Sequence, residues 1–503
     1  TFDVGILLLE KKTALPSSGF FMGFLLGSQT PIMRRSVDLA GESLTTLPTV
    51  LLAAEATTTG ELAPYILVAV LLSLVTIYLA SQLLGEFASR LGFPSVLGEL
   101  VGGVVIGGSL LGLLVFPEGE GGAVSHLMEL LQWTTGLGQE AISLIFSTET
   151  EVIDVLSEIG VVILLFEIGL ESDLQELIRV GPQAASVAVI GVLVPFVTGT
   201  AGLVYLFGVP VVPAIFAGAA LTATSIGITA RVLAELQKLS SPEGQIIIGA
   251  AVLDDILGII ILAVVASLAR TGEVQILEVG RIILSAVIFL VGAIILGRIL
   301  SPGLVSLMKR MKTRGSPLIP ALVVAFALGY VGQVIGLEAI LGTFAAGLIL
   351  AETDLQRELE DQIRPIADLF VPIFFVCVGA KTNLSVFDPS LPANREGMII
   401  AAFLIVVAIV GKIAAGLGVF GRPGLDRYAV GVGMIPRGEV GLVFAGVGAA
   451  SGVLSDALNT SIILMVIVTT FVSPLWLRSV LNRPAPPAGD PESAAPAVSP
   501  EEG

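Results

Sequence analysis

Apolar windows long enough to cross a bilayer, about 20 residues each, recur along most of this chain. They fall at 62–84, 93–115, 152–170, 181–206, 212–236, 244–268 and 276–300, and again at 318–334, 338–351, 365–380, 398–420, 428–453 and 457–480. This pattern predicts an all-α polytopic membrane protein with about 13 transmembrane helices. Several windows are short or glycine-rich, and 338–351 is too short to span unless it continues into the preceding polar turn. The transmembrane domain is therefore placed at 61–483. Residues 484–503, mostly proline, alanine and acid, read as a disordered tail. Residues 1–60 stand apart as an extension. Their "KKTALPSSGFFMGFLLGS" has a basic start and a short apolar run, weakly like a signal peptide or an upstream segment that never spans.

Composition sharpens this picture. The 503 residues are 54% hydrophobic and 13% charged, against about 25% charged for a soluble chain. Their mean hydropathy is +0.97. Glycine, at 58 residues without a G-X-Y period, fits closely packed membrane helices. A single cysteine, Cys377, excludes an internal disulfide framework and a thiolate metal cluster. A single histidine, His126, excludes multi-histidine metal sites, and its polar surroundings predict a solvated loop. The net charge of −17 gives no case for nucleic acid as a partner. No G-x-x-x-x-G-K-[ST] occurs, and no soluble stretch is long enough for a nucleotide-binding domain. No cofactor is implied, and any transport must draw on an ion gradient.

Basic residues give the orientation. One set of connections and window ends collects Arg90, Arg179, Arg231, Lys238, Arg298 and the cluster Lys309, Arg310, Lys312 and Arg314. It also takes Arg357, Arg364, Arg422, Arg427, Arg478 and Arg483, whereas the opposite side carries Arg270, Arg281, Lys381 and Arg395. The bias places the start of the first span outside and the C-terminus in the cytoplasm.

Polar residues inside the windows carry the chemistry. Ionised side chains at mid-membrane are costly, so an intramembrane acid marks a functional site by default. Asp254 and Asp255 lie near the centre of "AAVLDDILGIIILAVV". Adjacent residues on a helix point about 100° apart, so one faces an ion route while the other meets a partner. Lys412, in "VAIVGKIAAGLG", is the obvious buried cation to pair with one of them. Two windows look interrupted. "LTATSIGITARV" places Thr222, Thr224, Ser225 and Thr229 in an apolar run, and "GVGMIPRGEVGLV" is broken by Pro436 beside Arg437 and Glu439. Interrupted helices expose carbonyls and helix-end dipoles, as ion sites in secondary transporters do. The competing readings are ordinary back-bonding for the hydroxyls and a local Arg437–Glu439 pair near an interface. A broken window precedes the aspartates and another follows Lys412, which hints at a duplicated architecture. Glu99 and Glu338 read as structural acids near interfaces, and Glu167 as a weaker ion-route residue.

These motifs, "TATSIGITARVL", "GAAVLDDILGIIILAVV", "PIFFVCVGAKTNL" and "GVGMIPRGEVGLV", resemble the monovalent cation:proton antiporter-2 family across roughly 62–480. Within it, the chain resembles bacterial and cyanobacterial Na+/H+ antiporters. The resemblance implies an inverted-repeat antiporter fold with two crossing discontinuous helices, and a homodimer working by alternating access. It makes Asp255 the main carrier of cation and proton, and pairs Asp254 with Lys412. It places the crossing at Thr222, Ala223, Thr224 and Ser225 against Met434, Ile435 and Pro436, with Arg437 and Glu439 as a possible network. The full Asp-Asp pair with lysine resembles the electrogenic branch. The transported ion would be Na+, with Li+ or K+ as alternatives. The membrane would be plasma or thylakoid. Exchange of K+ and a non-transporting membrane sensor or scaffold are the rival readings.

Overall fold

The computed structural model describes residues 47–116, 125–271, 276–311, 315–390, 392–421 and 424–482. The expected tail, and the extension as far as residue 46, lie outside the described residues. Contacts divide the chain into Thr1–Pro64 and Tyr65–Gly503. Of the first unit, the opening turns of one helix are described, from Leu47. The second unit carries the fold.

Among the described residues there are sixteen α-helices and no strand beyond an isolated Gly107–Leu114 bridge. The first eight are α1 (Leu47–Arg90), α2 (Ser95–Ile106), α3 (His126–Thr135), α4 (Gln139–Glu171), α5 (Leu174–Phe207), α6 (Val211–Ala220), α7 (Ile226–Glu235) and α8 (Pro242–Thr271). The others are α9 (Ile276–Arg310), α10 (Leu318–Val334), α11 (Ala339–Ala351), α12 (Gln356–Ala380), α13 (Pro392–Ala415), α14 (Arg427–Gly433), α15 (Glu439–Ala450) and α16 (Asp456–Leu481). Six of the described helices are long and apolar enough to cross a membrane: the Leu62–Arg90 part of α1, α5, α8, α12, α13 and α16. Other apolar helices, α2, α6, α10 and α11 among them, are shorter.

Each apolar window contains a helix or a pair of helices, but three boundaries differ from expectation. The window at 152–170 is the second half of α4, which begins at Gln139. Glu149 and Thr150 are buried there, so their polarity does not interrupt the helix. The stretch before it, expected to be a polar connection, holds α3. Ser125 accepts from Leu127 N to start this helix, and Gly136 at φ 69° ends it. His126 therefore opens a helix, with Nδ1 2.9 Å from Glu129 Oε2 in a solvent-exposed pair. The window at 93–115 stops being helical at Ile106. α11 does not extend backwards either, since Gly336 takes φ 86°.

Packing sorts the helices of the second unit into two bundles. α5, α6, α8, α13, α15 and α16 pack on one another, with α7 and α14 between them, while α2, α4, α10, α11 and α12 form the other group. α9 touches α11 and α8. Small residues let backbones approach closely. At Gly103 of α2 an added Cβ would lie 2.1 Å from Val376 O of α12, so no larger residue fits there.

Candidate ion-binding site

Two helices of the first bundle are interrupted at mid-length. The chain leaves α6 at Ala220 and re-enters helix at Ile226. It leaves α14 at Gly433 and re-enters at Glu439. Each break frees backbone groups that a membrane interior cannot hydrate, so they must be satisfied within the protein. The two breaks satisfy each other. Ser225 N donates to Pro436 O at 2.9 Å. Thr224 Oγ1 donates to Met434 O at 3.1 Å and Thr229 Oγ1 to Gly433 O at 3.0 Å. In return, the Arg437 guanidinium donates to Ala223 O at 2.6 Å and to Leu221 O. Thr470 of α16 donates to Arg437 O. Met434 and Ile435 are fully buried. Gly438 is required by this close approach, since a Cβ there would sit 2.9 Å from Ser225 Oγ. Thr222 behaves differently: its hydroxyl donates to Ala219 O at 2.7 Å, a back-bond within its own turn.

α8 brings the two aspartates to this crossing. Lys412 of α13 donates from Nζ to Asp254 Oδ2 at 2.8 Å, and both side chains are fully buried. α5 makes room for the lysine at Gly191, where a Cβ would lie 3.5 Å from Nζ. Asp255 turns the other way and lines a cavity of about 10 Å³ with Ala223, Thr224, Ser225 and Gly438, room for about one water-sized sphere. Val161 of α4 and Ile340 of α11 close it from the second bundle. Asp254 Oδ1 and Ser225 Oγ are buried without a hydrogen-bond partner.

The site thus gathers two acids and two bases, with Arg437 and Lys412 both acting on Asp254. A buried charge needs a countercharge and hydrogen bonds, and here the opposite charges balance when both acids are ionised. Among the described residues no group of three His, Cys, Asp or Glu is suited to hold a metal. A small cation at Asp255 would instead draw on hydroxyl and carbonyl oxygens.

Of the residues singled out from sequence, the structure brings Asp254, Asp255, Lys412, Ala223, Thr224, Ser225, Met434, Ile435, Pro436 and Arg437 to one place. The side chain of Glu439 lies outside the described residues. Arg437 is not an interface residue: it is fully buried, and it caps the end of α6. Val161, Ile340 and Thr470 were not singled out. Nothing local distinguishes them from ordinary core and lining residues, because their roles come from other helices.

A buried acid pair beside two crossed helix breaks, in an all-α membrane bundle, defines a secondary ion transporter. The chain belongs to the sodium/hydrogen exchanger family, whose transmembrane model matches residues 71–483. It is 64% identical over 426 residues to the high-affinity Na(+)/H(+) antiporter NhaS3 of Synechocystis sp., covering 84% of this chain and 92% of that one. It is 34% identical over 407 residues to the Na(+)/H(+)-K(+) antiporter GerN of Bacillus cereus, covering 80% and 94%. The structure of the sodium proton antiporter MjNhaP1 from Methanocaldococcus jannaschii superposes with a TM-score of 0.55 at 16% identity, over 84% of this chain and 97% of that one. That likeness extends the common fold to an all-α antiporter with discontinuous helices.

Proposed function

We propose that this protein exchanges Na+ or Li+ for H+ across a membrane by alternating access, with both ions competing for Asp255. The observation that carries this reading is the division of labour on α8: Asp254 is bonded to Lys412, while Asp255 lines the small polar cavity at the helix crossing. With Asp255 ionised, the four buried charges cancel. A proton or a monovalent cation then adds the same single charge, so either can occupy the site but not both. Because the two ions compete for one carboxylate and only a loaded site crosses between the two sides, the fluxes are coupled. Thr224, Ser225 and Ala223 surround the cation, Arg437 holds the crossing in shape, and Lys412 holds Asp254 through their ion pair.

Around this site, the transport domain spans residues 61–483 as 13 transmembrane helices with an inverted repeat. Supporting this are the two breaks, α6–α7 beside the aspartates of α8 and α14–α15 beside Lys412 of α13. The bundle holding the site moves against the bundle of α2, α4, α10, α11 and α12. The protein works as a homodimer in a plasma or thylakoid membrane, with its C-terminus in the cytoplasm. The names of NhaS3 and GerN favour Na+, and that of GerN also supports K+ as a second cargo.

The test is cation-dependent proton movement in proteoliposomes with Na+, Li+ and K+ supplied separately. A Na+ or Li+ response that disappears in Asp255→Asn supports the exchange and its carrier. A response to K+ alone keeps the site and changes the cargo. No response from inserted, folded protein rejects transport.

A further inference from the structure

Away from the ion site, a polar contact joins the two bundles and fills a gap that the sequence leaves at the start of α2. The first N–H groups of a helix lack partners within it, and a Ser, Thr, Asp or Asn just before the helix usually accepts from one of them. In α2 that position is Pro94, which makes no such bond. The acceptor comes instead from the other bundle. Glu235, the last residue of α7, accepts from Ser95 N at 3.1 Å through Oε2 and from Ser95 Oγ through Oε1. A carboxylate at a helix start is also favoured by the helix dipole. Arg231, one turn earlier on α7, sets Nε 3.5 Å from Glu235 Oε1, and the two side chains are 20% and 23% exposed.

α7 ties this contact to the ion site. Its N-cap is Ser225, which lies in the crossing and lines the cavity at Asp255. The ten residues of α7, about 15 Å of helix, lead from there to Glu235. α2 is fixed on its own side: its backbone is tight against Val376 of α12 at Gly103, and at Gly98 an added Cβ would lie 2.1 Å from Leu84 O of α1. Between Ser225 and Glu235 the facing surfaces are apolar where Gly227 of α7 meets Phe374 of α12 and Leu164 of α4. Apolar surfaces exchange partners at little cost as bundles shift, whereas a carboxylate pulled away from Ser95 gives up two hydrogen bonds at once. The Ser95–Glu235 contact therefore separates two positions of the bundles more sharply than the packing does.

We infer that Glu235 is a positioning residue for transport, a latch that holds the bundles together with the ion site closed and must leave Ser95 before the site opens to the cytoplasm. The inference rests on the alternating-access reading above. The side follows from charge: Arg90, Arg231 and Lys238 fall on the face that the basic residues assign to the cytoplasm. In the latched arrangement, Val161 and Ile340 of the second bundle close the cavity at Asp255. Glu235 takes no part in binding the ion. It sets how often the cytoplasm-facing state is visited, and so how tightly Na+ binds, as measured, from that side.

Three measurements in a Cys377→Ser background test it. With Ile340→Cys added, labelling by a membrane-impermeant thiol reagent from the cytoplasmic side is expected to run about fivefold faster in Glu235→Ala. Ser95→Ala should speed it less, and the double variant no more than Glu235→Ala alone, because both changes remove one contact. Unchanged labelling, or effects that add, overturns the inference. In membrane vesicles of each orientation, Glu235→Ala is expected to lower KM for Na+ about fivefold from the cytoplasmic side and not from the outer side. Equal changes on the two sides, or none, also overturn it. Ser95→Cys with Glu235→Cys, joined by a short methanethiosulfonate cross-linker, is expected to stop Na+-driven proton movement until the link is reduced. Failure to link, or a link that leaves exchange running, counts against the latch. Absence of Na+-linked proton movement in the parent protein would reject the functional reading instead, and the labelling rates would still decide the latch.

Discussion

Lys412 Nζ lies 2.8 Å from Asp254 Oδ2 with both side chains fully buried, so neither charge has water to fall back on. Removing one partner of such a pair leaves an uncompensated charge in the interior. Lys412→Ala is expected to destabilise the purified protein by roughly 3–5 kcal/mol. Adding Asp254→Asn should recover part of that loss, because the stranded charge goes with it. The double variant should be more stable than the sum of the single losses by on the order of 2 kcal/mol. Thermal unfolding of all three variants in detergent reads this coupling directly. Simple additivity would show that the pair does not act as a unit.

Asp255 borders a cavity, whereas Asp254 is bonded to Lys412. If proton and cation exclude each other there, lowering the pH must weaken apparent Na+ binding. Once the acid is mostly protonated, apparent KM should rise about tenfold per pH unit. The rate at saturating Na+ should change far less. The direction follows from the charged form being the one that binds cation: protons fill the site as pH falls and leave it as pH rises. A KM that ignores pH while the maximal rate collapses would place the two ions at separate sites.

Arg437 has a job that a lysine cannot fill. Its guanidinium spans the carbonyls of Ala223 and Leu221, two acceptors at the broken end of α6, with one planar fork. A lysine ammonium is a point donor on a flexible stem. Arg437→Lys is expected to leave one carbonyl unsatisfied and to cost about 2 kcal/mol. Transport should slow because Ala223 and Thr224 line the cavity from the same unwound segment. Equal unfolding temperatures for Arg437→Lys and the parent would show that water or another group replaces the lost bond.

The sequence displays the parts of this site better than their assembly. Two adjacent aspartates in an aliphatic run, and a lysine in another, are conspicuous because membrane helices carry so few charges. Pro436 in a glycine-rich window likewise marks a break. What pairs with what is not local information: Thr224 and Met434 are 210 residues apart, and no periodicity links them. Arg437 leaves two readings open in sequence, a member of the site's network or a local pair with Glu439 near an interface. A guanidinium two residues from a glutamate looks like a surface pair, and only the crossing shows the carbonyls that keep it buried. α3 and the first half of α4 are hidden by their own polarity, since buried Glu149 and Thr150 read in sequence as the end of an apolar window. The second bundle's side of the cavity, Val161 and Ile340, is chemically silent.

Gly438 is where the crossing is tightest. A methyl group there would meet Ser225 Oγ at 2.9 Å and Ser225 Cβ at 3.0 Å, and Ser225 is held in place by its own N–H bond to Pro436 O. The serine can rotate its hydroxyl away but cannot move its Cβ without pulling the two breaks apart. Gly438→Ala is therefore expected to cost about 1–3 kcal/mol through overpacking. The displaced hydroxyl also borders the cavity at Asp255, so KM for Na+ should rise as well. Ser225→Ala relieves the hydroxyl clash but leaves the Cβ contact, so the Gly438→Ala/Ser225→Ala double variant should regain part of the stability and none of the Na+ affinity. Full recovery of both would mean that Ser225 serves packing alone.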